Sequence, residues 1–131
     1  MTGERDLNLL LNNLQPVLTP GMYVFCSSTS EAWDHAQATP LATIYEPEGL
    51  ALVLRAEDAE RLQMNFSGRF RCIRLDVHSS LEAVGLTAYV SSLLAKHGIS
   101  ANVIAGTHHD HVLVPADRAD HALQLLLTCP R

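Results

Sequence analysis

Between Phe70 and Leu126 the sequence switches twice between two periods, and that switching leaves few folds open. Arg71, Ile73, Leu75 and Val77 recur at every second residue, with Phe70, Cys72, Arg74 and Asp76 between them. That is the spacing of a strand with two distinct faces. Leu86, Val90, Leu93 and Leu94 follow at helical spacing. Ser79-Ser80-Leu81-Glu82 stands ahead of them in capping-box form, which predicts that the helix starts there. His97-Gly98 supplies a cation and a glycine for its C-terminal end. Residues 101–105 and 109–114 read as two strands turned at Gly106-Thr107. Pro115 is expected to open a last helix, with Ala119, Ala122, Leu123 and Leu126 on one side. The predicted order is βαββα.

The first half repeats that order with one replacement. Asp6 caps a helix whose stripe is Leu7, Leu10, Leu11 and Leu14, and Pro16 and Pro20-Gly21 are expected to end it. Residues 22–26 alternate as a strand. Residues 41–46 and 50–55 read as a hairpin closed by Glu46-Pro47-Glu48-Gly49, whose Pro and Gly positions suit a type I turn. Residues 57–64 predict a short helix with acids in its first turn. Where the second half has a crossover helix, the first has a polar, aperiodic stretch, residues 27–40, holding the single tryptophan, Trp33. Connections of that length are commonly lids or binding loops. Antiparallel strands with helices segregated to one face make an α+β fold. The expected architecture is two ferredoxin-like halves side by side, 1–66 with the N-terminal helix and 67–131, sharing one sheet and neither stable alone.

Composition narrows the function. The chain has 131 residues, enough for one ordinary domain core. Only 18% of residues are charged, which predicts a surface partly covered by a partner subunit. A net charge of -5 with no basic run argues against nucleic acid and anionic membranes, and 5% aromatics argue against single-strand stacking. No apolar run is long enough for a membrane helix, and Met1–Arg5 does not begin a signal-peptide core. Cys26, Cys72 and Cys129 are widely spaced with no Cys-x-x-Cys. They predict reduced thiols in a cytoplasm, Cys26 and Cys72 as buried small hydrophobes, and neither a disulfide framework nor a zinc ribbon.

Several stretches carry a family resemblance. Tyr23-Val24-Phe25-Cys26 after Pro20-Gly21, and Glu46-Pro47-Glu48-Gly49-Leu50, resemble the first half of small bacterial tandem ACT-domain proteins. Residues 77–88, 98–106 and 109–115 (His109-Asp110-His111 leading the last) resemble their second half. These proteins are similar to the regulatory ACT pairs of aspartate kinases and to ACT-based amino-acid sensors. The resemblance implies a regulatory fold that binds a small ligand, often an amino acid, where ACT units pack. It also implies that Asn102, Val103 and Ile104 border the effector. The family's usual aromatic residue before the His-Asp-His stretch is replaced here by Thr107-His108.

The residues themselves point to the same place. A strand ending at His78 and turning into a helix capped by Ser79 would leave free amides around Ser80 to Val84, which attract a carboxylate. Gly85 would let a ligand approach the backbone, and the Asn102 amide can both donate and accept. His109 and His111, predicted to share a strand face, are candidates for a hydrogen bond to that ligand. With His108 and His78 they also raise a metal reading, although no acid or thiol is placed to complete a ligand set. No nucleophile elbow, phosphate loop or dinucleotide fingerprint is present. The expectation is a non-catalytic, homodimeric, ligand-sensing ACT pair with no cofactor. The alternatives are a metal-dependent enzyme using the His108–His111 hairpin, and a ligand-free dimerisation module.

Overall fold

A computed structural model describes residues 3–29 and 32–128. Two compact units emerge, one taking the chain up to Pro20 and again from Arg71, the other Gly21–Phe70.

The discontinuous unit begins with helix α1 (Leu7–Asn12), capped by Asp6, whose carboxylate accepts from the Asn8 and Leu9 amides. Its leucine stripe is buried, Leu10 completely. Strand β1 (Pro16–Leu18) follows and pairs antiparallel with β5 (Phe70–Leu75), Val17 opposite Arg74. The sequence reading took Pro16 as a stop signal only. Proline is tolerated as the first residue of a strand, and pairing across more than fifty residues is invisible to local pattern. Helix α3 (Leu86–Lys96) ends at His97, with Gly98 at a φ of 72°. The Gly98 and Ile99 amides close the helix onto Ala95 and Leu94 carbonyls. Strands β6 (Asn102–Ala105) and β7 (Asp110–Pro115) form a hairpin, with β7 between β5 and the outer β6. Pro115 closes β7 rather than opening a helix; a 3-10 turn at Ala116–Arg118 intervenes before α4 (Ala119–Leu127).

One apolar cluster unites this unit. Leu10 and Leu14 meet Ile73 and Leu75 of β5, Val90 and Leu94 of α3, Val112 and Val114 of β7, and Ala122 and Leu126 of α4. The helices thus gather on one face of the strands. Cys72 is buried, and burial pushes its thiol above the usual range, against the opposing effects of Thr19 and Arg74.

The second unit is built on β2 (Tyr23–Ser28), β3 (Ala42–Glu46) and β4 (Gly49–Arg55), with β4 between the others. Pro47 and Glu48 turn the hairpin, as their chemistry predicts. Val24 faces Leu54 and Cys26 faces Leu52 across the ladder. These residues, with Ala56 and Ala59 of helix α2 (Ala56–Arg61), form the core. Burial likewise raises the Cys26 thiol. The long polar stretch is no detached lid where it is described. Trp33 packs on this core and its indole donates to the Ala38 carbonyl at 2.8 Å, while Arg61 donates to Gln37 O at 2.7 Å. It covers the strands where the other unit uses a helix. Cys129 lies outside the described residues.

Among the described residues no helix is long and apolar enough to cross a membrane. Because α1 is only six residues long, its stability comes from packing rather than propensity. Leu10→Ala should therefore cost roughly 2–5 kcal/mol in urea unfolding. The same change at exposed Leu9 should cost under about 1 kcal/mol.

Candidate functional site

The segment between β5 and α3 is held by the chain's own N-terminal region. Glu4 forms a parallel bridge to Ser79, its amide donating to His78 O at 2.9 Å and its carbonyl accepting from the Ser80 amide at 2.8 Å. A Cβ on Gly3 would lie 2.6 Å from the Ser79 carbonyl carbon, so this close approach requires glycine. The bridge keeps Ser79 extended and occupies the Ser80 amide, and the expected capping box does not form. The Ser80 hydroxyl accepts from the Glu82 amide at 3.1 Å, closing a local turn. The Glu82 carboxylate instead lies 3.9 Å from exposed Arg5.

Helix α3 therefore starts at Leu86, with Gly85 as its N-cap six residues beyond the predicted cap Ser79. Gly85 has a φ of 106°, and no side chain caps the helix. The first intrahelical bond runs from the Tyr89 amide to Gly85 O. The helix-start amides lie at residues 86–88 rather than 80–84. A Cβ on Gly85 would meet Leu7 Cδ2 at 3.0 Å, so its bare side packs against α1.

Ser79 is 8% exposed, and its hydroxyl sits 3.5 Å from the Asp110 carboxylate at the start of β7. Both line a cavity of about 90 Å³. Ser80 and Thr87 add hydroxyls to its wall, and Leu81, Ala83, Leu86 and Ala105 add apolar surface. Burial pushes the Asp110 carboxyl above the usual carboxylate range, opposed by the Ser79 hydrogen bond and by His111 and His109. Asp110 is the functional candidate that the sequence reading passed over. It stood in the His-Asp-His stretch, where attention went to the histidines. A carboxylate opposite Ser79, the one buried polar residue among the described residues, emerges only once β7 and the Glu4 bridge place them together.

The remaining candidates spread around this centre. The His78 ring lies 5.1 Å from that of His108, tilted by 43°, and the His108 ring lies 6.3 Å from that of His109. His109 precedes β7, its carbonyl accepting from the Gly106 amide, so it does not share a strand face with His111 as expected. Its Nδ1 is shielded and has no hydrogen-bond partner among the described residues. His111 lies opposite Ile104 on the hairpin, Val103 opposite Val112, and exposed Asn102 opposite Leu113. Val84 is 83% exposed. Asn102, Val103, Ile104 and Val84 are not in the cavity wall. Asp76 is tied to Arg74, whose hydrogen bond holds its carboxyl below the usual range. Among the described residues no three His, Cys, Asp or Glu side chains converge as metal ligands. In the other unit a larger groove, about 500 Å³, surrounds the β3–β4 turn, but Glu46 and Glu48 there are exposed. A desolvated carboxylate favours the smaller cavity as the chemical site.

Residues 2–71 match a family model described as an ACT domain, and residues 67–128 match a second model of the same description. No curated protein matches the chain significantly. Among solved structures, the chain is similar to a Vibrio cholerae protein of unknown function, described as a possible transport protein. The two are 51% identical with a TM-score of 0.83 over 92% of each chain. Escherichia coli aspartokinase III, determined with aspartate and ADP, gives a TM-score of 0.63 at 13% identity. That match covers 85% of this chain and 32% of the enzyme. The regulatory subunit of aspartate kinase from Thermus thermophilus gives 0.58 at 10% identity, covering 88% of this chain and 97% of the subunit. The two aspartate-kinase likenesses are of fold alone.

Two measurements check the local chemistry. Gly85→Ala should destabilise the protein by about 1–2 kcal/mol, because a side chain there is strained at positive φ and meets Leu7; urea unfolding reads this. Asp110→Asn should raise the melting temperature at neutral pH. With its carboxyl raised from 3.8 in the fold, Asp110 favours folding most when protonated, and that contribution is lost as pH rises above 3.8. The stabilisation by Asn should therefore shrink to nothing as the pH is lowered below about 4. A constant difference across a pH series would contradict a desolvated carboxylate.

Proposed function

We propose that this chain, which belongs to the ACT-domain family and carries two such domains in tandem, is a non-catalytic regulatory protein that binds an amino acid. The observation that carries the reading is the Ser79–Asp110 pair beside the start of α3. An amino acid presents an ammonium and a carboxylate on adjacent atoms. Asp110, held partly out of water, offers the ammonium a charge-assisted partner, and Ser79 helps to orient it. The start of α3, with no side-chain cap, offers amides to the carboxylate.

The proposed site runs outward from this centre. Ser80 shapes the turn, and His78, His109 and His111 supply polar rings around it. Val84 and Gly85 lead into the helix. Asn102, Val103 and Ile104 belong to β6, an outer strand whose far edge pairs with no strand of its unit among the described residues. We assign them the strand-edge side of the site, completed by a second copy of the chain in a cytoplasmic homodimer. The halves 1–66 and 67–131 would be the two repeating ACT parts.

A thermal-shift screen against the common amino acids and nucleotides tests the proposal. A ligand present at about a hundred times its Kd should stabilise the native state by about 2.7 kcal/mol. The stabilisation should disappear in Asp110→Asn and weaken in Ser79→Ala. If no amino acid shifts the transition, the pairing-module alternative replaces this reading. Light scattering should give twice the chain mass at micromolar concentration, and a monomer would remove the strand-edge half of the site.

A further inference from the structure

We infer that the ligand of the Ser79–Asp110 cavity is an amino acid with an uncharged, apolar side chain, as opposed to an acidic or basic one. The inference rests on the proposed amino-acid reading and extends it to the side chain. It follows from size and wall chemistry together. A volume of about 90 Å³ is far below the roughly 300–1,000 Å³ of pockets that enclose drug-sized ligands. Such a cavity seats a small head group rather than a whole side chain. The side chain of the ligand must therefore leave along the wall.

That wall has one charged group, Asp110, which the ammonium takes. What remains for a side chain is Leu81, Ala83, Leu86 and Ala105, with hydroxyls only at the head-group end. Leu81 is 72% exposed, a large apolar side chain held at the mouth in the turn that Ser80 closes. It offers apolar contact at the point where a bound side chain would emerge. An aspartate or glutamate ligand would bring a second carboxylate beside Asp110, and the nearest cation candidates, His109 and His111, lie outside the wall and already act on Asp110. A lysine or arginine ligand would find no second acid there, because Glu82 lies outside the wall near Arg5. Either charge would lose hydration along this wall without a partner.

Calorimetric titration of the intact protein with alanine, valine, leucine, aspartate and lysine tests this, with melting curves in parallel. At least one of the three apolar amino acids should bind, at least about tenfold more tightly than aspartate or lysine. Its binding should be lost in Asp110→Asn. Leu81→Lys, at an exposed position, should fold normally, weaken the apolar ligand about tenfold and narrow the gap to aspartate. Tighter binding of aspartate or lysine that is still abolished by Asp110→Asn overturns the inference and leaves the amino-acid site standing. Binding by none of the five, with none in the wider screen, removes the amino-acid reading and this inference with it. Unchanged selectivity in Leu81→Lys also overturns it, because the side chain would then leave elsewhere.

Discussion

The bridge between Glu4 and Ser79 is the constraint on which the site depends. Two backbone hydrogen bonds hold the N-terminal region against the segment after β5. They keep Ser79 extended and buried, while the Glu82 amide that a capping box would give to Ser79 goes to the Ser80 hydroxyl. With that start denied, the chain runs on to Gly85 before it can turn into α3. The delay creates the Ser80–Val84 turn, puts Leu81 at the cavity mouth and leaves the first turn of α3 without a side-chain cap.

The same unit supplies the rigidity that such a site needs. Leu10 and Leu14 of the N-terminal segment share one apolar cluster with β5, β7, α3 and α4. Leu7 fills the space that a side chain on Gly85 would take. The elements carrying Ser79, Leu86 and Asp110 are therefore packed against a common core, and their spacing is fixed by close packing rather than by the loop itself. Against this frame, Asp110 is a local conflict. Its burial disfavours its charge, and only a long hydrogen bond from Ser79 and the fields of two histidines offset that.

The sequence by itself determined the element order apart from β1, the α+β class and most of the core. Alternation in residues 70–77 and 22–26, and the stripes of α1, α3 and α4, are short-range consequences of where Cβ atoms point. So are the Asp6 cap, the Pro47-Glu48 turn and the Gly98 stop. The ACT resemblance was also legible, because its motifs are contiguous. Only the tertiary structure decided where α3 begins, that Pro16–Leu18 is a strand, and that Ser79 meets Asp110 instead of Glu82. Each of these depends on partners more than thirty residues away in sequence. Ser79-x-x-Glu82 satisfied the local rule for a helix start. A backbone pairing from Glu4 holds that segment instead, and the Ser80 hydroxyl takes the Glu82 amide that Ser79 would have capped.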